Sequence, residues 1–389
     1  MAQAIVCGAG AAGLATAACL KQAGIEPLLL ERGDAVGTSW RRRYPALRLN
    51  TLGWMSTLPG YRASRRRYGE FPTRDDWVRY LEDYARRFEL AIDFGSEVER
   101  VERANGKWRV VASDGSREAP FVVVATGFDH EPHMPEWPGR DSFEGDLMHA
   151  SEYRDTQPFQ GRDVLVVGAN ITGTELAAFL ADGGAARVRL AMRTPPTIFP
   201  RKWLGIRLNM VGVLADYGPR KLADANGRLL QRLIYGDLSK HGIPVPPLGM
   251  RSSIEERFVG PSIDAGFVAA LKEGRIEIVP AVEDLDGLDV VVADGSRIQP
   301  DAVICATGYR RGLERLVGDL DVLDQARGVP RGWPTVEVAT ARNLFFVGYR
   351  ARVSGQLRLM RYDARRVARI ARRRQRASAS ATAEPALSP

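Results

Sequence analysis

One construction occurs twice in this sequence: a short apolar run, a glycine-punctuated turn and an alanine-rich helical stretch. The first copy is AIVCGAGAAGLATAACLKQ, starting at Ala4. The second is DVLVVGANITGTELAAFLADGG at 163–184. A strand that ends in glycine and turns at once into a helix presents free backbone N–H groups at the helix start. Those groups and the helix dipole favour phosphate. A chain built this way twice is constrained to an α/β class with two Rossmann-like dinucleotide-binding domains.

The rest of the pattern fits around these two units. EPLLLER at 26–32 reads as the strand after the first helix, and DDWVRYLEDYARRFEL at 75–90 as an amphipathic helix. VERANGKWRVVASDGS at 101–116 reads as a hairpin turning at Asn105-Gly106. FVVVATG at 121–127 is a buried strand, and DAVICATGY at 301–309 echoes it. The stretch 200–262, rich in Pro, Gly and Arg, reads as less regular. The simplest arrangement inserts the second domain into the first. Residues 1–150 and about 285–375 form one domain, and about 155–280 the other. ASASATAEPALSP closes the chain, and 376–389 reads as a disordered tail.

The two loops differ in ways that bear on their ligands. In GAGAAG, Gly8 allows the tight turn, Gly10 lets the backbone approach a pyrophosphate, and Gly13 lets helix and strand pack closely. Ala11 and Ala12 open the helix. Glu31, 18 residues past Gly13, ends the next strand where a carboxylate accepts from ribose hydroxyls. The first site therefore reads as FAD or NAD.

In GANITG, Gly168 and Gly173 remain, but Asn170 takes the middle position, followed by Ile171 and Thr172. Asn tolerates positive φ, so the turn is expected to survive. Its side chain either crowds the phosphate or donates to it. Arg193, 20 residues past Gly173, stands where the first unit has its acid. A cation there suits a 2′-phosphate, so the second site reads as NADP.

Charge and cysteine usage narrow the function classes. The formal charge is +8, but Arg358 to Arg376 holds nine arginines and one acid, Asp363, which alone accounts for it. That reads as an exposed basic helix rather than a nucleic-acid surface. Cys7, Cys19 and Cys305 form no C-x-x-C pair, which argues against a dithiol reductase and for a reducing, cytoplasmic setting. No run is long and apolar enough for a membrane span, and no secretory leader is expected. DHEPH at 129–133 superficially resembles a metal site, but its histidines flank a proline in a loop, and no metal is expected.

FEGDLMHASEY, Phe143 to Tyr153, fits F-x-G-x-x-x-H-x-x-x-Y, with Phe143, Gly145, His149 and Tyr153 in place. This resembles the signature of the class B flavin monooxygenases. Tyr153 resembles their N-hydroxylating and S-oxygenating branch more than the Baeyer–Villiger branch. ATGFDHEPHMP (125–135) and ICATGY (304–309) resemble the family's two ATG segments. IFPR (198–201) and GPSIDAGFVAALKEGRIEIVP (260–280) resemble YUCCA-type members and their bacterial relatives. YPALRLNT places Asn50 where animal members have an asparagine near the flavin and YUCCA-type members usually have His. Asn170 and Ile171 depart from the family's usual G-N-S.

The resemblance implies FAD and NADPH as cofactors, with a small-molecule substrate and dioxygen as reactants. The implied FAD set adds Arg32, Trp40, Ala125, Thr126, Gly127 and Gln356, the last at the start of a helix aimed at the flavin ring. Ala306, Thr307 and Gly308 are implied cofactor-binding residues too, and NADPH is expected at Gly168, Thr172, Gly173 and Arg193, with Asn170 and Ile171 in the same loop. On that resemblance, hydride would pass from NADPH to the flavin, dioxygen would add to give a C4a-hydroperoxide, and one oxygen atom would go to nitrogen, sulfur or a carbonyl. Asn50 is the candidate catalytic donor, while His149 reads as structural, at the domain junction. The alternatives are an oxidase that releases only hydrogen peroxide and a non-catalytic nucleotide sensor. A homo-oligomer is compatible with the sequence.

Overall fold

The computed structural model describes residues 2–332 and 334–383. Both glycine turns join a parallel strand to a helix. Ala4–Cys7 lies at the centre of a five-stranded parallel sheet, between Pro27–Glu31 and Phe121–Val124. Ala91–Phe94 and Leu344–Phe346 form the edges. Asp163–Val167 holds the same place in a second sheet, between Arg187–Ala191 and Ala302–Cys305. Ile276–Val279 and Asp146–His149 are outermost there. Each unit also carries a three-stranded antiparallel meander, at 98–119 in the first and 282–298 in the second. The first meander turns at Asn105-Gly106, both with positive φ, as a two-residue hairpin requires.

The sheet membership corrects the sequence-based boundaries. Asp146–His149 and Ala302–Cys305 belong to the second sheet, not to the unit assigned to 1–150 and about 285–375. The reason lies in the echo between FVVVATG and VICATG. Val122–Val124 pairs beside Ile5–Cys7, and Val303–Cys305 pairs beside Leu165–Val167. Each glycine-turn strand thus has its own buried ATG strand as neighbour, and the repeat carries both copies.

The C-terminal helix, Gln356–Ala383, packs on the first nucleotide helix, Ala11–Gln22. Ala364, Val367, Ala368 and Ala371 are buried at helical spacing, against a helix that offers mostly alanine. The arginine-rich helix is therefore half core. Its exposed face carries the charge, and Arg374 reaches back to Glu337 and Asn343. The helix also runs through 376–383, which composition had marked as disordered tail. Alanine is the best helix former, and propagation onto a docked helix adds a hydrogen bond for each residue fixed. Residues 384–389 lie outside the described residues.

The irregular stretch 200–262 is a short hairpin followed by three helices, Leu208–Tyr217, Arg220–Tyr235 and Met250–Arg257. Its glycines and prolines, which suggested disorder of pattern, punctuate the helix ends. Gly218 and Pro219 separate the first two helices, Gly236 follows the second, and Gly249 precedes the third.

Candidate active site

The first glycine turn is tight from both sides. Gly8 has φ +107°, and a Cβ there would lie 2.7 Å from the Ala125 carbonyl oxygen. A Cβ on Gly13 would lie 1.8 Å from the Gly8 carbonyl oxygen. Gly10 is different: it precedes the helix with ordinary extended backbone, and a Cβ there meets nothing within 4 Å. Its missing side chain leaves room only for something outside the protein. That space is a cleft of about 480 Å³. Gly8, Gly10, Ala11, Ala12, Glu31, Arg32, Trp40, Asn50, Ala125, Thr126, Gly127 and Gln356 line it. The Glu31 carboxylate accepts from Ala9 N–H at 2.7 Å and Gly33 N–H at 2.9 Å, so its orientation is fixed by the turn itself. Gln356 starts the long C-terminal helix at the cleft, and its side chain donates to the Gly348 carbonyl.

The second turn repeats this geometry. Gly168 has φ +104°, with a virtual Cβ 2.6 Å from the Ala306 oxygen, and a Cβ on Gly173 would lie 1.7 Å from the Gly168 oxygen. Gly13 and Gly173 are thus packing residues that line neither cleft. Asn170 has φ −79° and ψ −171°, against −81° and −173° at Gly10. No positive φ is needed there, so the expectation that asparagine was tolerated for its left-handed preference is corrected. The middle glycine matters for its absent side chain alone. Asn170 is exposed and lines a second cleft of about 840 Å³, together with Gly168, Arg193, Ala306 and Thr307.

Arg193 lies two residues beyond the strand Arg187–Ala191. A second cation on this cleft, Arg257 at the end of Met250–Arg257, escaped the sequence reading because nothing local marks it. Among the described residues neither arginine has an ion pair or side-chain hydrogen bond, and no carboxylate lines the cleft. An anionic ligand suits such a lining. Gly308 lines neither cleft. It is a junction residue whose carbonyl accepts from His133 N–H and His149 Nε2.

The clefts meet at the second turn. Ile171 and Thr172, expected on the nucleotide side, line the first cleft instead, and so does Glu175 one turn on. Glu175 is buried, accepts from the Tyr44 hydroxyl at 2.5 Å and lies 3.6 Å from the Arg201 guanidinium. Arg201 also reaches Asn50 Oδ1 at 3.5 Å, and Asn209 donates to the Asn50 carbonyl at 2.6 Å. Burial pushes the Glu175 carboxyl up, with Tyr44 and Arg201 pulling the other way. Burial first, and then Glu175, push the Tyr44 hydroxyl well up. Arg201 thus links the Tyr44–Glu175 pair to Asn50, across three stretches far apart in sequence. Sequence reasoning missed the group, although all its members but Asn209 sit in stretches already singled out: YPALRLNT, the second glycine turn and IFPR.

The F-x-G-x-x-x-H-x-x-x-Y segment holds the junction together. Tyr153 is buried edge-on to Tyr44, and Phe143 packs on the second unit's core. His149 ends the edge strand of the second sheet. Its Nε2–H donates to the Gly308 carbonyl at 3.0 Å, and its Nδ1 accepts from the Ser151 N–H at 3.1 Å. Those partners suit a neutral ring, and burial holds its pKa below the ordinary 6.5. The unfolded chain therefore takes up a proton that the folded one refuses. The contribution of His149 to stability is complete above about pH 6.5 and fades as pH falls below it. Melting curves from neutral to mildly acid pH should show a shallower decline for His149→Gln than for the parent. An equal decline would place the titration elsewhere.

All three cysteines are buried and free. Burial pushes the Cys7 and Cys305 thiols up to about 12 and Cys19 to about 11, so none supplies a thiolate at neutral pH.

Residues 5–204 match the family described as pyridine nucleotide-disulphide oxidoreductase. The protein named probable indole-3-pyruvate monooxygenase YUCCA9, of Arabidopsis thaliana, is 34% identical over 318 residues, covering 79% of this chain and 75% of its own. The indole-3-pyruvate monooxygenase YUCCA1 of Oryza sativa subsp. japonica is 33% identical over 340 residues, covering 85% and 83%. Among solved structures, a flavin-containing monooxygenase from Stenotrophomonas maltophilia superposes with a TM-score of 0.71 at 23% identity, over 96% of this chain and 100% of its own. The OTEMO complex with FAD and NADP superposes with a TM-score of 0.73 at 18% identity, over 97% and 86%.

Proposed function

The chain belongs to the class B flavin-dependent monooxygenases, and from that premise we propose that it uses FAD and NADPH to insert one atom of dioxygen into a small organic substrate. The observation that carries the proposal is the meeting of the clefts. The second glycine turn faces one cleft with Asn170 and the other with Ile171, Thr172 and Glu175. A nucleotide held on that turn would lie beside whatever fills the first cleft.

The first cleft suits FAD, because Gly10 leaves a cradle that a Cβ would fill and the helix Ala11–Gln22 points its N-terminus there. When bound, the flavin supplies the redox and oxygen chemistry. The chain's own residues bind and orient. Glu31 closes the ribose end, and the start of Gln356–Ala383 brings a positive dipole end to the cleft. Asn50, steadied by Asn209 and Arg201, presents its side chain at the junction. The buried Tyr44–Glu175 pair walls that junction and keeps it dry. The second cleft suits NADPH through Arg193 and Arg257. The relatives' named activity favours the carbonyl of a 2-oxo acid over nitrogen or sulfur as the oxygenated centre. A cytoplasmic setting agrees with three single buried thiols.

The test is to mix the flavin-loaded protein with NADPH, and separately with NADH, without oxygen, and follow the oxidised flavin absorbance. Labelled dioxygen is then admitted with candidate 2-oxo acids, amines and thioethers. Rapid bleaching by NADPH and label in an organic product support the proposal. Stoichiometric hydrogen peroxide with every substrate would favour the oxidase alternative. No bleaching by either nucleotide would overturn the assignment of the second cleft.

A further inference from the structure

The helix Arg220–Tyr235, RKLADANGRLLQRLIY, is amphipathic the wrong way round. Its packed face carries Ala223, Asp224 and Gly227. Asp224 accepts from the Arg251 and Ser252 N–H groups at the start of the next helix, and Gly227 lets Met250 lie close. Leu230, Ile234 and Tyr235 are half-buried, but three leucines point out. Leu222, Leu229 and Leu233 are 55%, 58% and 64% exposed and form one stripe at i, i+7 and i+11. A cation precedes each of them: Lys221, Arg228 and Arg232. The helix has one acid, and it is the buried Asp224. The preceding helix continues the pattern with Met210, Val211, Leu214 and Tyr217 exposed.

A second observation points the same way. Lys202–Trp203 and Ile206–Arg207 form a hairpin whose turn residues, Leu204 and Gly205, have φ of 47° and 78°. Such a turn normally takes Asn or Gly, and a leucine in it is strained. This leucine is 80% exposed at the tip. The hairpin base is held by Glu70, which pairs with both Lys202 and Arg207. Local preference has been overridden to hold an apolar tip in solvent, and backbone outliers of this kind mark function.

We propose that the Leu204 tip and the leucine stripe of Arg220–Tyr235, with its cationic flank, form a surface that docks on an anionic lipid bilayer. An apolar stripe beside cations, on a helix with no exposed acid of its own, complements headgroup phosphate and acyl chain together. A second copy of the chain is the poorer occupant, because a twofold contact sets the stripe against itself with charges of one sign. No helix among the described residues is long and apolar enough to cross a membrane, so the attachment is peripheral.

The experiment uses the full-length, flavin-loaded protein with sedimenting vesicles of phosphatidylcholine, alone or mixed with phosphatidylglycerol. The parent should partition onto the mixed vesicles, weakly onto the neutral ones, and less as salt rises. Leu204→Asn, which suits the turn better than leucine, should lower partitioning about tenfold, and so should each of Leu229→Gln and Leu233→Gln. Lys221→Glu with Arg232→Glu leaves every apolar contact in place and should abolish the preference for anionic vesicles. Flavin content is expected to be unchanged throughout, and no variant should melt below the parent. Equal partitioning by parent and variants, or none by the parent, would overturn the proposal. So would a solution dimer that Leu229→Gln with Leu233→Gln dissolves, since it would seat a second copy on this face.

Discussion

Gly13→Ala is expected to yield protein that neither holds flavin nor melts cooperatively at the parent's temperature, while Gly10→Ala, in the same loop, should fold normally and lose only flavin. The added methyl at residue 13 would sit 1.8 Å from the Gly8 carbonyl oxygen, and backbone cannot swing away as a side chain can. Gly8 has no retreat either. Its N–H donates to the Leu30 carbonyl at 2.7 Å, and its own Cα side is closed by Ala125. Overpacking of this kind costs about 3 kcal/mol or more, which lowers the melting temperature by roughly 6–12 °C for a domain of this size. At residue 10 the same methyl meets no protein atom within 4 Å, and the backbone there is open to any residue. Restricting the unfolded chain should even stabilise the flavin-free protein by about 0.4–1 kcal/mol. Flavin affinity should nonetheless fall about tenfold to a hundredfold, because the methyl occupies the pyrophosphate's place. Thermal melts with and without FAD, and flavin retained after gel filtration, separate the two. If Gly10→Ala kept its flavin, the cleft at the first turn would not hold the pyrophosphate.

That contrast shows why some of this molecule was legible in its sequence. A glycine forced by a backbone contact leaves a mark at fixed spacing, and both turns carry it, at Gly8 with Gly13 and at Gly168 with Gly173. Strands buried on both faces, such as Phe121–Val124 and Ala302–Cys305, are equally visible as apolar runs. Which sheet such a strand joins is not written locally. The ATG echo is visible, but the unit to which Ala302–Cys305 belongs is not, because its pairing depends on partners more than a hundred residues away. The Tyr44–Glu175–Arg201 group was hidden for the same reason. Each member is unremarkable in its own segment, and only the tertiary fold makes Glu175 a buried carboxylate. Asn170 is the opposite case. The substitution was conspicuous, but its meaning turned on a φ that the sequence does not display.

Arg193→Ala should then weaken NADPH far more than NADH. The two nucleotides share the pyrophosphate and differ by the 2′-phosphate, so a residue that reads the phosphate acts on one and a residue beside the pyrophosphate acts on both. Arg193 and Arg257 are free to pair in a cleft that no described carboxylate lines. A charge-assisted hydrogen bond contributes about 1.5–3 kcal/mol, so losing Arg193 should raise the NADPH dissociation constant roughly tenfold to a hundredfold and leave NADH nearly unchanged. Arg193 is exposed, so high salt should shrink the difference. Arg257→Ala should act in the same direction, and the double variant should show little preference between the nucleotides. Asn170→Gly is the internal control. It restores the open cradle found at Gly10, on the same backbone, and should shift both dissociation constants by the same factor. Titrating NADP⁺ and NAD⁺ against the flavin-loaded protein by calorimetry measures all of this without turnover. An Arg193→Ala variant that weakened the two nucleotides equally would mean that this cation does not read the 2′-phosphate, and the same result for Arg257→Ala would leave the second cleft no claim to NADPH over NADH.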